Sequence, residues 1–343
     1  MSDKGERLMS SSVEKSSDTQ SPLSGQNIAY GGIAWAVTSL LFFLLFSITP
    51  PGEDSPLWYL IGTYILETLP FLGAAILCYR NWRSPQIASG RNVWLGIGLG
   101  MLSWFIANLL FGVWELYFGL DPEVSPADLF YVTFYLFLSW GMVLAVLPRR
   151  LNLEVWQWVT VGAIAIIGIA LAVWILLATP NPTAQATNGA SSPNATEQVA
   201  TEAISLQQGT ASATPSVEEE SQRSENRAPT WAITLQDELK PFSKPINFFY
   251  IVGDVFLLII AATLLLAFWG GRFAQSWRMV AAATLSLYIA DMYFKYEDAT
   301  QVKYQSGSLL EVFFVFSGVL FAIGAALEYD VSSRSRRSAR KRA

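Results

Sequence analysis

Five polar residues fall inside runs of hydrophobic residues: Glu67, Asn108, Asp254, Asp291 and Lys295. An ionisable group in hydrocarbon is costly and by default marks a binding, relay or transport site. Asp291 and Lys295 stand four apart, on one face of a helix and close enough to pair. That spacing suits a structural bridge as well as an ion or proton site, and both readings stay open. A second set of carboxylates, Glu115, Asp128, Glu297 and Glu311, sits near the ends of the apolar runs, with Asp121 and Asp298 beside them. Acids gathered at one interface are what a lipid-modifying enzyme working by carboxylate catalysis would need. Asp128 also has a plainer role, because in VSPADLFY an N-cap at Ser125, a proline at the first helical position and an acid in the first turn start a helix.

The absences narrow the chemistry further. The chain has no histidine, and Cys78 is its single cysteine. Without another polypeptide this excludes histidine-ligated haem, zinc sites built on His or Cys, a Ser-His-Asp triad and an intramolecular disulfide. No GxxxxGK[ST] loop occurs either, so ATP hydrolysis of that type is not expected. No metal, cofactor or nucleic-acid partner is expected. Aromatic residues are abundant and many suit interfacial belts. Trp104, Trp114, Tyr288 and Tyr293 flank the polar positions and form a candidate aromatic pocket for an apolar ligand.

The elements that must hold these residues are apolar helices. A span needs about 20 mainly apolar residues, and such runs occur at 28–49, 57–79, 93–118, 127–147, 155–178, 247–269, 278–297 and 309–329. Hydrophobic residues make up 52% of the chain and charged ones 14%, against about 25% charged in soluble domains. Arg80, Arg83 and Arg91, then Arg149 and Arg150, then Arg272 and Arg278 fall in alternate loops. The loops between them, TPPGEDSP and FGLDPEVSPAD, contain no Lys or Arg. By the positive-inside rule both termini are cytoplasmic. A basic tail of Arg334, Arg336, Arg337, Arg340, Lys341 and Arg342 then lies on the same side, where it suits anionic lipid or an acidic partner. Residues 1–27 read as a disordered cytoplasmic tail and 330–343 as the basic tail. Residues 179–246 have the Ala, Thr, Ser, Pro and Gln bias of an extracytoplasmic linker. Within that linker Trp231, Ile233, Leu235 and Leu239 could form a short amphipathic stretch at the membrane surface.

The last three runs replay three earlier ones 183 residues on. Trp94 meets Trp277, Leu102-Ser103 meets Leu285-Ser286, Asn108 meets Asp291 and Phe111 meets Phe294. The same register lays Ser125 on Ser308, Asp128 on Glu311 and Gly141 on Gly324. In the preceding pair, Glu67 and Asp254 come within a turn of equivalence if Tyr59 and Gly62 are laid on Tyr250 and Gly253. The expected fold is an all-α polytopic membrane protein with eight transmembrane helices arranged as two parallel four-helix repeats. The first repeat is 28–178 read to its fourth span; the second has its first helix at 155–178 and its last three in 247–329. Four spans per copy give both halves one orientation.

The string SPADLFYVTFYLFLSWG, with Ser125, Ala127, Asp128, Tyr131 and Tyr135, resembles the multi-span N-terminal membrane input regions of bacterial signalling proteins of the membrane diguanylate cyclase type. The stretch YQSGSLLEVFF, with Tyr304, Gly307, Ser308 and Glu311, is similar to a later segment of those regions, with Glu311 where Asp is more usual. The resemblance implies a bacterial plasma (inner) membrane protein whose membrane part senses while a cytoplasmic domain answers. No such output domain follows Tyr329 here. The expected function is therefore a non-enzymatic sensor or scaffold that couples an outer or intramembrane signal to protein partners. The alternative is a repeat-built transporter or channel that uses Glu67, Asn108, Asp254 and Asp291.

Overall fold

The computed structural model describes residues 24–48, 55–120, 124–147, 154–178, 228–269, 274–300 and 306–340. Helix α1 covers Gly25–Phe46, α2 Leu57–Arg83, α3 Arg91–Gly112, α4 Ala127–Val146 and α5 Val155–Ala178. After the linker come a short α6, Thr230–Leu239, then α7, Ser243–Ala267, α8, Ala274–Thr300, and α9, Val312–Arg340. Among the described residues seven stretches are long and apolar enough to cross a membrane. The chain is thus a multi-pass α-helical membrane protein, as helices that satisfy every backbone group internally require in lipid. The sequence reading counts eight. The difference is α8, which has 27 residues but carries Arg278, Asp291, Lys295, Glu297 and Asp298, so its composition is less apolar.

Local signals fix the helix ends. The Ser24 hydroxyl accepts the Asn27 N–H and starts α1 at Gly25, a little before the apolar run itself. Ser125 and Asp128 open α4 reciprocally: Ser125 Oγ accepts the Ala127 N–H at 3.2 Å and Asp128 Oδ2 accepts the Ser125 N–H at 2.7 Å. Pro70 lies within α2 without ending it. Helix α3 passes into one π-helical turn, Val113–Tyr117, a distortion that often marks functional positions.

Helices α2, α3, α4, α7, α8 and α9 pack in a ring, each against its neighbours, and two contacts distant in sequence close it: α2 on α9 and α4 on α7. Helix α1 lies on the outside against α9, and α5 against α7 and α8. The interior is filled by Phe71, Trp94, Ile97, Met101, Phe134, Leu138, Met142, Leu257, Trp277 and Phe321. Glycines allow the closest approaches. A Cβ on Gly141 would stand 2.7 Å from Ile97 N and 2.9 Å from Val93 O, so α3 and α4 touch backbone to backbone there. Gly318 of α9 meets Pro70 and Phe71 of α2 in a similar way.

Helix α8 repeats a detail of α3. Gly141 abuts Val93, Gly96 and Ile97, while Gly324 abuts Ser276, Met279 and Val280. Each residue of the second set lies 183 positions after its counterpart in the first. Trp94 and Trp277, matched by that same interval, meet each other with ring centroids 6.1 Å apart.

Candidate functional site

The buried carboxylates, Glu328 apart, lie toward one end of the ring, where α2, α4, α7 and the 3-10 turn before α9 begin and where α3 and α8 finish. This is the acidic end; Arg80, Arg83, Arg91 and Arg278 mark the opposite, basic end.

The deepest group forms where α4, α7 and α8 meet. Gly253 makes room for it, since a Cβ there would lie 2.7 Å from Tyr135 Cδ1. The Tyr135 hydroxyl lies 2.5 Å from Asp254 Oδ1 and 2.9 Å from Asp291 Oδ2. Lys295 Nζ reaches Asp254 Oδ2 at 3.1 Å, with the carboxylate fully enclosed. The i,i+4 spacing suggests that Lys295 pairs with Asp291. Instead the long lysine side chain crosses to the neighbouring helix, where Asp254 offers a carboxylate, and Asp291 turns toward Tyr135.

Next to this group, tyrosines donate to several of the other acids. Tyr250 of α7 donates to Asp128 Oδ1 at 2.6 Å, and Tyr131 of α4 donates to Asn108 Oδ1 at 2.7 Å. Asn108 Nδ2 reaches Thr68 Oγ1 at 3.4 Å. Glu115, in the π turn, accepts from the Tyr64 hydroxyl, from Ser306 Oγ at 2.7 Å and from the Ser306 N–H at 3.2 Å. One carboxylate thereby ties α3 to α2 and to the segment before α9. Tyr59 donates to the Gly307 carbonyl at 2.5 Å, and the Gly307 N–H donates to Glu311 Oε2 at 2.7 Å. Gly307 has φ 109°, and a Cβ on it would strike the Tyr59 ring at 2.6 Å. Glu67 is buried beside Asn108, with its Oε1 lacking a hydrogen-bond partner among the described residues. Tyr293 donates to Glu297 Oε1 one turn along α8.

The bonding of the tyrosines to the acids is what sequence reading misses. Tyr59, Tyr64, Tyr131, Tyr135 and Tyr250 are half-hidden signals: each is on a helix face that also carries buried residues, and a chain without histidine must satisfy its buried acids with some other donor. Only the helix pairing reveals which acid each one meets.

The four aromatic residues expected to form a pocket are dispersed. Trp104 packs centrally among Phe71, Tyr131, Phe134 and Phe314. Tyr288 donates to the Gly168 carbonyl of α5 at 2.8 Å. Trp114 is at the acidic end, against Phe118 and against Trp231 of α6, 5.8 Å between centroids. Tyr293 serves Glu297. With Ala232 fully buried, α6 is a docked helix, its Ala232 and Leu235 meeting Trp114, Phe118 and Leu120.

At the basic end the α2–α3 connection is fastened to α9. Asn81 Nδ2 donates to the Ala325 carbonyl at 2.8 Å, Ser89 Oγ to Glu328 Oε1 at 2.7 Å, and the Ala88 N–H to Ser332 Oγ at 3.3 Å. The Arg80 guanidinium stacks over Tyr329, 4.1 Å from the ring centroid. Arg334, Arg336, Arg337 and Arg340 belong to the last turns of α9. Lys341 and Arg342 lie outside the described residues, as do Asp121, Arg149, Arg150, Arg272, residues 1–23 and residues 179–227. Among the described residues no group of three or more Cys, Asp or Glu converges as a metal site would.

Compared with protein-family models, with curated proteins and with solved structures, the chain matches none.

Proposed function

We propose that this protein is a non-enzymatic membrane sensor or scaffold that passes a change at its acidic end to partners at its basic end. One arrangement carries the reading. Helix α6, the last part of the long linker, docks by Trp231 and Ala232 on Trp114 of the π turn. The next residue, Glu115, holds α2 through Tyr64 and holds the start of the α9 segment through Ser306. From there α9 runs as one helix from Val312 to Arg340, ending in the basic tail. Whatever shifts α6 therefore acts on the root of the helix that emerges at the other end. A ligand can do this only by binding two packings unequally.

The proposal includes eight spans. Helix α8 is counted among them because it packs between α7 and α9, with Trp277, Leu287 and Ala290 buried. It also includes two parallel halves, supported by the matched glycine contacts and by Trp94 against Trp277. With eight spans the acidic end is extracytoplasmic and both termini are cytoplasmic, in a bacterial inner membrane as the resemblance implies. The basic tail would bind anionic lipid or an acidic protein surface, at about 1 kcal/mol per Lys or Arg near the membrane.

A transport reading has one observation in its favour, the buried carboxylates Glu67 of α2, Asp254 of α7 and Asp291 of α8. Affinity purification of the full chain in mild detergent, with and without residues 332–343, separates the two. The sensor or scaffold reading expects a stoichiometric protein partner that is lost with the tail. A preparation containing only this chain, together with ion flux in liposomes abolished by Asp254→Asn, would overturn it.

A further inference from the structure

We propose that the Tyr135–Asp254–Asp291–Lys295 group is a proton-binding site that holds one exchangeable proton on Asp291. Hydrogen counting leads there. The Tyr135 hydroxyl has one hydrogen and lies within bonding distance of two carboxylates, 2.5 Å from Asp254 and 2.9 Å from Asp291. It can donate to only one of them. With both carboxylates bare, one of these two contacts lacks a hydrogen. Lys295 donates to Asp254 Oδ2, so Asp254 is the charged member: it accepts from Lys295 and from Tyr135. Asp291 carries the missing hydrogen and donates it toward the Tyr135 oxygen or Asp254. The proton makes the group neutral, one ammonium against one carboxylate, in an interior where net charge is costly.

Among the described residues the titratable groups around the site are few. From α4 the site is faced by Tyr135 and Tyr131, with Asp128 farther out; from α7 by Asp254 and Tyr250; from α8 itself by Lys295 and by Tyr288, whose hydroxyl donates to the Gly168 carbonyl. Helix α5, the other helix against α8 on that side, has no titratable residue, and α9 has none before Glu328. Toward the acidic end lie two hydrogen-bonded pairs, Tyr131 with Asn108 and Tyr250 with Asp128. The chemistry is balanced and simple: a proton from water forms an O–H bond on Asp291 and leaves by the reverse step.

Infrared difference spectroscopy of the full-length protein in lipid bilayers, stepped between acidic and alkaline buffer, tests this. Expected is a carbonyl-stretch band of a protonated carboxylic acid in the wild type that is lost in Asp291→Asn and displaced in frequency in Tyr135→Phe. If Asp291→Asn does not fold, the displacement in Tyr135→Phe is the deciding reading. No such band in the wild type, a band fully retained in Asp291→Asn, or a band at the same frequency in Tyr135→Phe would overturn the assignment. The readout does not depend on any partner, so it stands or fails separately from the sensor reading.

Discussion

Among the described residues, the buried acids near the acidic end other than Asp291 each have an identified hydrogen-bond partner, and several of those partners are phenols. Asp254 is the most demanding, because it is fully enclosed and its one ion-pair partner among the described residues is Lys295. Removing one partner of a buried pair leaves an uncompensated charge, a loss of about 3–5 kcal/mol. Lys295→Met should therefore destabilise strongly in a detergent unfolding assay, with Asp291→Asn changing stability by less than about 1 kcal/mol, since asparagine keeps a hydrogen to offer Tyr135. A larger loss for Asp291→Asn than for Lys295→Met would place the ion pair at Asp291 after all. At this scale the sequence reveals the acids but not their partners. Acids stand out in an apolar run because they are rare there. Some of their partners come from helices more than 100 residues away, as Tyr135 does for Asp254 and Tyr250 for Asp128. Lys295 is the instructive case: its spacing from Asp291 is right for a local pair, and a tertiary contact wins.

Individual helices are the most legible level, because a span is a run of about 20 apolar residues and little else forms from one in lipid. Helix α8 is the exception, since the polar residues that interest us are the same ones that dilute its hydrophobicity. Close approach between helices depends on single glycines. Gly141→Ala should cost about 1–3 kcal/mol, because its Cβ would press on the α3 backbone. Gly324→Ala should cost less, its nearest neighbours being Val280 Cγ2 at 3.1 Å and Ser276 O at 3.2 Å. Thermal unfolding of the two variants in the same detergent checks the order; equal melting would mean that α3 and α4 can separate without loss. Helix α6 is short, and its amphipathic pattern of Trp231, Ile233 and Leu235 is compatible with a membrane surface or with a protein surface. In the structure its Ala232 and Leu235 pack on Trp114, Phe118 and Leu120, while Trp231 stays 57% exposed. Ala232→Glu, placing a charge where exposure is nil, should release α6 and speed protease cleavage across residues 228–242. Unchanged cleavage would mean that α6 is held by something other than this contact.

For the whole molecule, sequence order says little about the ring, because α2 against α9 and α4 against α7 join segments far apart in the chain. The proposed path runs from α6 on the π turn, through Glu115 on Ser306, to α9 from one end to the other. The α2–α3 connection, bonded to Ala325, Glu328 and Ser332 of α9, completes it at the basic end. Two states of this assembly need differ only in how α9 sits against α2 and α8. Hydrogen–deuterium exchange on the full-length protein in lipid nanodiscs, comparing wild type with Trp231→Ala, measures that coupling. The expected result is altered exchange both around residues 306–311 and at residues 332–340, at the opposite end of the bundle from the substitution. Changes confined to residues 228–242 and the π turn, with residues 332–340 exchanging as in the wild type, would contradict transmission through α9 and with it the sensor account.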